Sequence, residues 1–387
     1  MITRENIREL AEFTSPESCA ISFYFQPTTP QNKSHREEVI RLKGVVQQAA
    51  REAGKQHKSV MQADLDRILS LAEHLQGNHA RARAVFACGA RNFWREYDLP
   101  PRLAGTKMHV NRRFHLRPMT AIADVLPRVA IAVLDRSKAR IFELWMDELR
   151  EREKLATELP RRGRSDGFEG YNAGRTERRV ENEAAHHFKR VGDRLLEMRE
   201  AGACERLIIG CRDEVWPDVE AQLHPYLKQR FVGRLTMDPA AATGEKIREQ
   251  GERLMEEFRT QRRQNLIREV TGEAHRNGRG ALGLRRVLHA LEKGEVQTLL
   301  LGRLFSARAS ECGSCGHLDS HMSKSCAVCA QETRELEDVS DAILGQAVRN
   351  RIEIVHIGND PEFDRIGNIA ALLRFRADQN TPMKMAV

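Results

Sequence analysis

Residues 129–142 read Val129-Ala130-Ile131-Ala132-Val133-Leu134-Asp135-Arg136-Ser137-Lys138-Ala139-Arg140-Ile141-Phe142. The six apolar residues that open the stretch form a strand, Asp135 to Lys138 make a turn, and Ala139 to Leu144 form a second strand. A short polar turn between two β-rich runs predicts a hairpin. Downstream, a polar stretch from Pro160 to Arg179 is nearly free of apolar residues. A helix follows from about Val180 to Glu200, with Ala184, Ala185, Phe188, Val191, Leu195 and Leu196 toward one side. Leu207-Ile208-Ile209-Gly210 is a short buried strand. Residues 244–270 read as a long, highly charged helix of the kind that serves as an interdomain strut.

The same alternation of strands and helices extends to both ends. Residues 19–27 read as a buried strand ended by Pro27. A polar loop, Thr28 to Ser34, precedes a helix carrying Val39, Ile40, Leu42, Val45, Val46 and Ala49. A second helix carries Leu65, Ile68, Leu69, Ala72 and Leu75, and Ala82 to Ala90 return as a strand. Toward the C-terminus a helix from Leu284 to Leu291 is closed by Gly294 in a left-handed cap. The strand Val296–Leu301, a helix near Val339–Asn350 and the strand Ile352–Ile357 follow. The pattern predicts an α/β protein of mixed sheets and helices. Its expected domains are 1–125, 126–260 and 261–387, consistent with the length of 387 residues.

Hydrophobic residues make up 41% of the chain and charged ones 30%, which are globular values and exclude wholesale disorder. No run approaches the roughly 20 apolar residues of a membrane helix, and Met1-Ile2-Thr3-Arg4-Glu5 opens no secretory signal. A cytoplasmic protein without a membrane partner is expected. With 63 Lys+Arg against 55 Asp+Glu, the net charge is +8. Such an excess is compatible with a polyanionic partner.

Of the eight cysteines, Cys19, Cys88, Cys204 and Cys211 lie in or beside apolar runs and read as small buried hydrophobes. The others form Cys312-x2-Cys315-x10-Cys326-x2-Cys329. Two such knuckles place four thiolates around a tetrahedral ion, so structural zinc is expected in a small ribbon over 312–329. Four thiolates leave no open coordination position, which argues against catalysis at the metal. His317 and His321, inside the loop, are expected not to be ligands.

The second signal is a basic loop over 160–180. Arg161, Arg162, Arg164, Arg175, Arg178 and Arg179 stand among Gly163, Gly167, Gly170 and Gly174, and the next helix adds Lys189 and Arg190. Guanidinium forks suit phosphate oxygens, and glycines allow close backbone approach. A solvated loop has the same composition. His186 and His187 point about 100° apart on a helix, so they read as a packed or surface pair. The chain has no G-x-G-x-x-G, P-loop or H-E-x-x-H motif, and Thr243-Gly244-Glu245-Lys246 is too short to cradle a phosphate.

In order, these parts resemble the superfamily of archaeal and eukaryotic class 1 release factors and the rescue factor Pelota. They are most similar to its bacterial branch, which includes the hibernation factor Balon. The stretch 129–142 looks like the opening of the family's central domain. Arg175-Thr176-Glu177-Arg178-Arg179-Val180-Glu181 and His187-Phe188-Lys189-Arg190-Val191 resemble its arginine-rich loop and following helix. Val287-Leu288-His289-Ala290-Leu291-Glu292-Lys293-Gly294-Glu295-Val296-Gln297-Thr298-Leu299-Leu300 resembles the start of its third domain. The cysteines fall where archaeal relatives carry a zinc-binding insertion, and residues 366–375 resemble the closing segment.

The departures set the implied function. Where release factors carry the catalytic Gly-Gly-Gln, this chain has Glu169-Gly170-Tyr171 or, in another alignment, Asn172-Ala173-Gly174. The Asn-Ile-Lys-Ser loop that reads stop codons is only approximated by Gln31-Asn32-Lys33-Ser34. The resemblance implies a non-catalytic factor in the ribosomal A site. Lys33, His35 and Arg36 would touch RNA near the decoding centre, and the 160–180 arginines would touch RNA near the peptidyl-transferase centre. The third domain would face a GTPase, elongation factor Tu. Hibernation is the leading expectation. Pelota-like rescue of stalled ribosomes is the alternative, and peptidyl-tRNA hydrolysis through Glu169 or Tyr171 a further one.

Overall fold

The computed structural model describes residues 3–15, 18–26, 35–52, 55–74, 82–100, 103, 105–146, 148–159 and 170–376. They form two units, one from residues 126–262 and one from residues 1–125 with 263–387.

The 126–262 unit is built on a five-stranded sheet in the order Glu148–Ala156, Lys138–Trp145, Val129–Leu134, Arg206–Cys211, Phe231–Thr236. The first three strands are antiparallel neighbours, and the last three run parallel. The hairpin turn is held by Asp135. Its carboxylate accepts the backbone N–H groups of Ser137 and Lys138, both at 2.7 Å, a local bond that offers the chain a turn in place of a ladder.

Every residue of Val129–Leu134 is buried, so both faces of this strand need cover. Ala130, Ala132 and Leu134 share a core with Ala184, Phe188, Val191 and Leu195 of the helix Gly170–Glu200. Val129, Ile131 and Val133 share another with Ile247 and Met255 of the helix Gly244–His275. A Cβ on Gly251 would stand 2.8 Å from Ile131 Cδ1, so glycine permits the close approach of helix to sheet.

Three readings change here. The segment read as a basic loop over 160–180 is helical from Gly170, while 160–169 lie outside the described residues. Arg178, Arg179 and their neighbours are good helix formers, but without an apolar stripe their periodicity is silent. The strands Glu148–Ala156 and Phe231–Thr236 have no counterpart in the sequence reading. They flank the sheet as its edge strands; dense charge masks the β pattern of the first, and in the second Gly233 and Arg234 break a short apolar run. The charged 244–270 helix, read as an interdomain strut, also has a buried side. Ile247, Met255, Ile267 and Val270 are all buried, sparse anchors among long charged stems that shield apolar surface.

In the other unit, the N-terminal segment forms an antiparallel sheet in the order Phe93–Leu99, Ala82–Cys88, Ala20–Phe25, Lys107–Asn111. Helices His35–Glu52 and Lys55–His74 contribute Leu42, Val46, Met61, Leu65 and Ile68 to its core. The C-terminal segment forms a mixed sheet in the order Gly280–Leu282, Ile369–Leu373, Val296–Gly302, Glu353–Ile357. Helices Gly283–Glu292 and Ser340–Arg349 pack on one face; Ile267, Val270 and Phe363 pack on the other. Gly294 is left-handed at φ 68°, the capping geometry its sequence position predicts. A small three-stranded sheet, Leu318–Asp319, Ala309–Cys312 and Thr333–Leu336, carries the cysteines.

The two segments of this unit meet along a polar seam. Arg349 donates to the Ala11 carbonyl at 2.7 Å, and His115 Nδ1 lies 3.0 Å from Asp341. Asp124 accepts the His356 backbone N–H at 3.0 Å, and Thr120 Oγ1 stands 3.0 Å from His356 Nε2. Burial holds the His356 imidazole down to about 4, and the Arg117 and Arg263 charges push the same way. The folded value lies below the unfolded one, so the neutral ring favours the folded state. That stability is full above about pH 6.5 and is lost as pH falls toward 4, at roughly 3 kcal/mol in the limit. Chemical denaturation should therefore show this unit weakening across that window, and His356→Gln should flatten the slope.

Candidate functional site

The cysteine spacing closes as expected. The four sulfurs of Cys312, Cys315, Cys326 and Cys329 all lie within 4.8 Å of one another. Cys312 and Cys329 are 3.4 Å apart, Cys315 and Cys329 3.5 Å, and Cys315 and Cys326 3.7 Å. An ion holding four sulfurs at about 2.3 Å needs a tetrahedron with edges of about 3.8 Å. The donor set therefore fits a metal ion in both number and spacing.

The two knuckles repeat one backbone design. Gly316 N–H donates to Cys312 O at 3.1 Å, and Ala330 N–H to Cys326 O at 2.9 Å. Cys312 N–H donates to His317 O at 2.9 Å, and Cys326 N–H to Gln331 O at 2.8 Å. Backbone N–H groups also point at sulfur: Ser314 and Cys315 at Cys312, and Val328 at Cys326, each at 3.4 Å. Such donors favour thiolate. Chiefly through the Cys315 N–H, the Cys312 thiol is drawn down to about 6. Cys315 has a backbone donor of its own at His317, yet burial and three neighbouring sulfurs push it up to about 12. Four sulfurs this close share protons until a cation replaces them.

His317 Nδ1 faces Glu292 at 2.8 Å and His321 Nδ1 faces Asp319 at 3.3 Å. Among the described residues, no ligand cluster other than the four cysteines stands together. A feature without a sequence signal is Glu311, directly before Cys312. Its side chain is 2% exposed and is gripped by Arg113 and Arg334. Burial pushes its carboxyl up, but the two guanidinium groups prevail and hold it below the usual range. Removing one partner of such a pair costs roughly 3–5 kcal/mol, so this triad braces the ribbon against the body of the unit.

The basic residues separate into two groups. Arg178, Arg179, Lys189 and Arg190 are exposed on the helix Gly170–Glu200, on the side away from Ala184, Phe188, Val191 and Leu195. Arg190 donates to Thr157 at 3.3 Å. Arg178, Arg179 and Lys189 have no ion-pair or hydrogen-bond partner among the described residues, whereas Arg140, Arg152 and Arg194 are each paired to glutamates. Lys33, Arg161, Arg162 and Arg164 lie outside the described residues, and only the backbone is described at His35, Arg36 and Arg175. His186 is exposed, while His187 is buried with Nδ1 2.9 Å from Thr157. Burial lowers the His187 pKa, so the pair is a packed residue beside a surface one.

The family model for bacterial archaeo-eukaryotic release factor family 10 matches residues 115–259. The chain is similar to archaeo-eukaryotic release factors. Peptide chain release factor subunit 1 of Archaeoglobus fulgidus is 21% identical, over 97% of each chain. Among solved structures, Archaeoglobus fulgidus Pelota is 12% identical with a TM-score of 0.32, over 97% of this chain and 93% of its own. A model of ribosome-bound archaeal Pelota and ABCE1 is 15% identical with a TM-score of 0.41, over 97% and 94%. Among the described residues no helix is long and apolar enough to cross a membrane.

Gly316 and Ala330 occupy equivalent left-handed positions, at φ 74° and 58°. Nothing lies within 4 Å of where a Gly316 Cβ would sit, so only backbone strain opposes a side chain there. Gly316→Ala should cost about 1 kcal/mol and Ala330→Gly should recover a similar amount. Competition between the cobalt-loaded protein and a chelator should show metal retention moving in those opposite directions.

Proposed function

We propose that this chain is a non-catalytic factor that binds ribosomal RNA in the A site and protects idle ribosomes. The observation that carries the reading is the set of cations on the exposed side of the 170–200 helix, which have no ion-pair partner among the described residues. That helix lies within the segment matched by the release factor family model. An unpaired guanidinium holds only water and counterions, so binding a phosphate backbone releases ions without breaking a protein ion pair. The full-length likeness to a peptide chain release factor supports a translational task. The chain contains no Gly-Gly dipeptide at all, and hence no Gly-Gly-Gln, which favours binding over peptide release.

The four thiols hold zinc in this reading. With every coordination position taken by sulfur, zinc would serve as structure and not as a Lewis acid. The ribbon strands are short, Leu318–Asp319 being two residues, and bury too little apolar surface to persist unaided, so metal binding and local folding are one equilibrium. Elongation factor Tu in its GDP form is the proposed GTPase partner of the 263–387 segment. Rescue of stalled ribosomes would use the same surfaces and is separated by the choice of ribosomal state.

Two experiments test this. Purified protein should pellet with vacant ribosomes, more strongly with GDP-bound elongation factor Tu, and should weaken steeply with salt. Arg178→Ala with Arg179→Ala should reduce the slope of log affinity against log salt by about one for each phosphate no longer neutralised. Salt-insensitive pelleting would refute the electrostatic account, and preference for stalled, messenger-bearing ribosomes would favour rescue. Elemental analysis should find one zinc per chain, and Cys326→Ser should lose it together with proteolytic resistance across 309–336.

A further inference from the structure

A cleft of about 630 Å³ lies between the helix Gly283–Glu292 and the ribbon strand Leu318–Asp319. Leu282, Leu288 and Leu318 contribute apolar walls, and Arg285, Arg286 and His289 contribute cationic or donor groups. The volume falls in the range of small-molecule sites, which combine apolar surface with a few convergent polar groups. Two carboxylates also line the cleft, and both are committed. Glu292 faces His317 at 2.8 Å, and Asp319 takes the His321 N–H at 2.9 Å. Neither pairs with Arg285, which has no ion-pair or hydrogen-bond partner among the described residues. Arg285 and His289 are four residues apart and so lie on one side of the helix. An unmatched guanidinium lining a partly apolar cleft is an arrangement suited to recognising an anion.

We propose that this cleft binds a phosphoryl group, with Arg285 on its oxygens, His289 on the same side of the helix, and the leucines against the attached organic part. A planar guanidinium fork matches phosphoryl oxygens in pairs. A metal ion is a poorer occupant, because both carboxylates here already face His317 and His321 and the described residues show no metal-ligand cluster at this cleft. The phosphoryl group can come from a free nucleotide or from an RNA backbone, and the two sources are separable. The inference does not depend on the ribosome-binding reading, and either can fail alone.

The test is titration calorimetry on the full, zinc-loaded chain, with adenosine diphosphate and with a short unstructured RNA that lacks terminal phosphates. At least one probe should saturate a single site, and Arg285→Ala should weaken it about tenfold or more, the drop expected when a charged phosphate partner is removed. Arg285→Lys should retain part of the affinity, and Arg253→Ala, an exposed change on another helix, should have no effect. Saturation by the nucleotide assigns a small phosphorylated ligand, and saturation by the RNA alone assigns a backbone phosphate. Hydrogen exchange on the unmutated chain should show probe-dependent protection over 282–292 and 317–321. Binding of neither probe, or equal binding by wild type and Arg285→Ala without that protection, would overturn the proposal.

Discussion

Burial of Val129–Leu134 on both faces is the constraint from which the 126–262 unit follows. A strand with no solvent side must be covered twice, and its alternating side chains decide what covers it. The small Ala130 and Ala132 admit the bulk of Phe188 and Leu195, while Ile131 meets the helix at a glycine. Once Ala184, Phe188, Val191 and Leu195 are committed to the sheet, helical geometry turns Arg178, Arg179, Lys189 and Arg190 outward. The cationic surface is thus held in place by the core beneath it. Substitutions in that core would disturb the proposed RNA binding through geometry, without removing a charge.

The ribbon is organised by the opposite logic. It has almost no core, and its order comes from four sulfurs and a buried ion triad. Glu311 ties the strand that ends in Cys312 to Arg113, in the remote N-terminal segment, and to Arg334 on the neighbouring strand. The proposed metal site and the triad share that strand, so they are energetically coupled. Loss of the ion would loosen Glu311, and loss of Arg113 would move Cys312. Charge–charge attraction inside a protein is strong only when both partners are fixed, and here each feature fixes the other.

How much of this is legible in sequence depends on the range of the determining interaction. The hairpin at 135–138, the Gly294 cap and the cysteine knuckles are set by residues within a few positions of one another, and each is readable. The strands Glu148–Ala156 and Phe231–Thr236 are not: charges conceal the period of the first, and Gly233 and Arg234 interrupt the six-residue run of the second. The start of the 170–200 helix is hidden for want of an apolar stripe before Val180. Glu311 is invisible as a site because its partners, Arg113 above all, come from remote sequence. The four exposed cations stand out by resemblance and by local composition; that no carboxylate answers them among the described residues is a three-dimensional fact that no local pattern encodes.

The distribution of paired and unpaired arginines bears on what kind of protein this is. Arg140, Arg152, Arg194 and Arg212 each sit against a carboxylate, so they stabilise the fold locally and contribute little outward field. Their net effect on a distant anion is small, because each charge is answered within a few ångströms. A net charge of +8 therefore says less about partners than where unanswered cations cluster among the described residues. Among them are the exposed cations of the helix 170–200 and Arg285 at the cleft beside the ribbon. The chemistry we propose for these cations is recognition of phosphate by charged side chains held outward by the core beneath them.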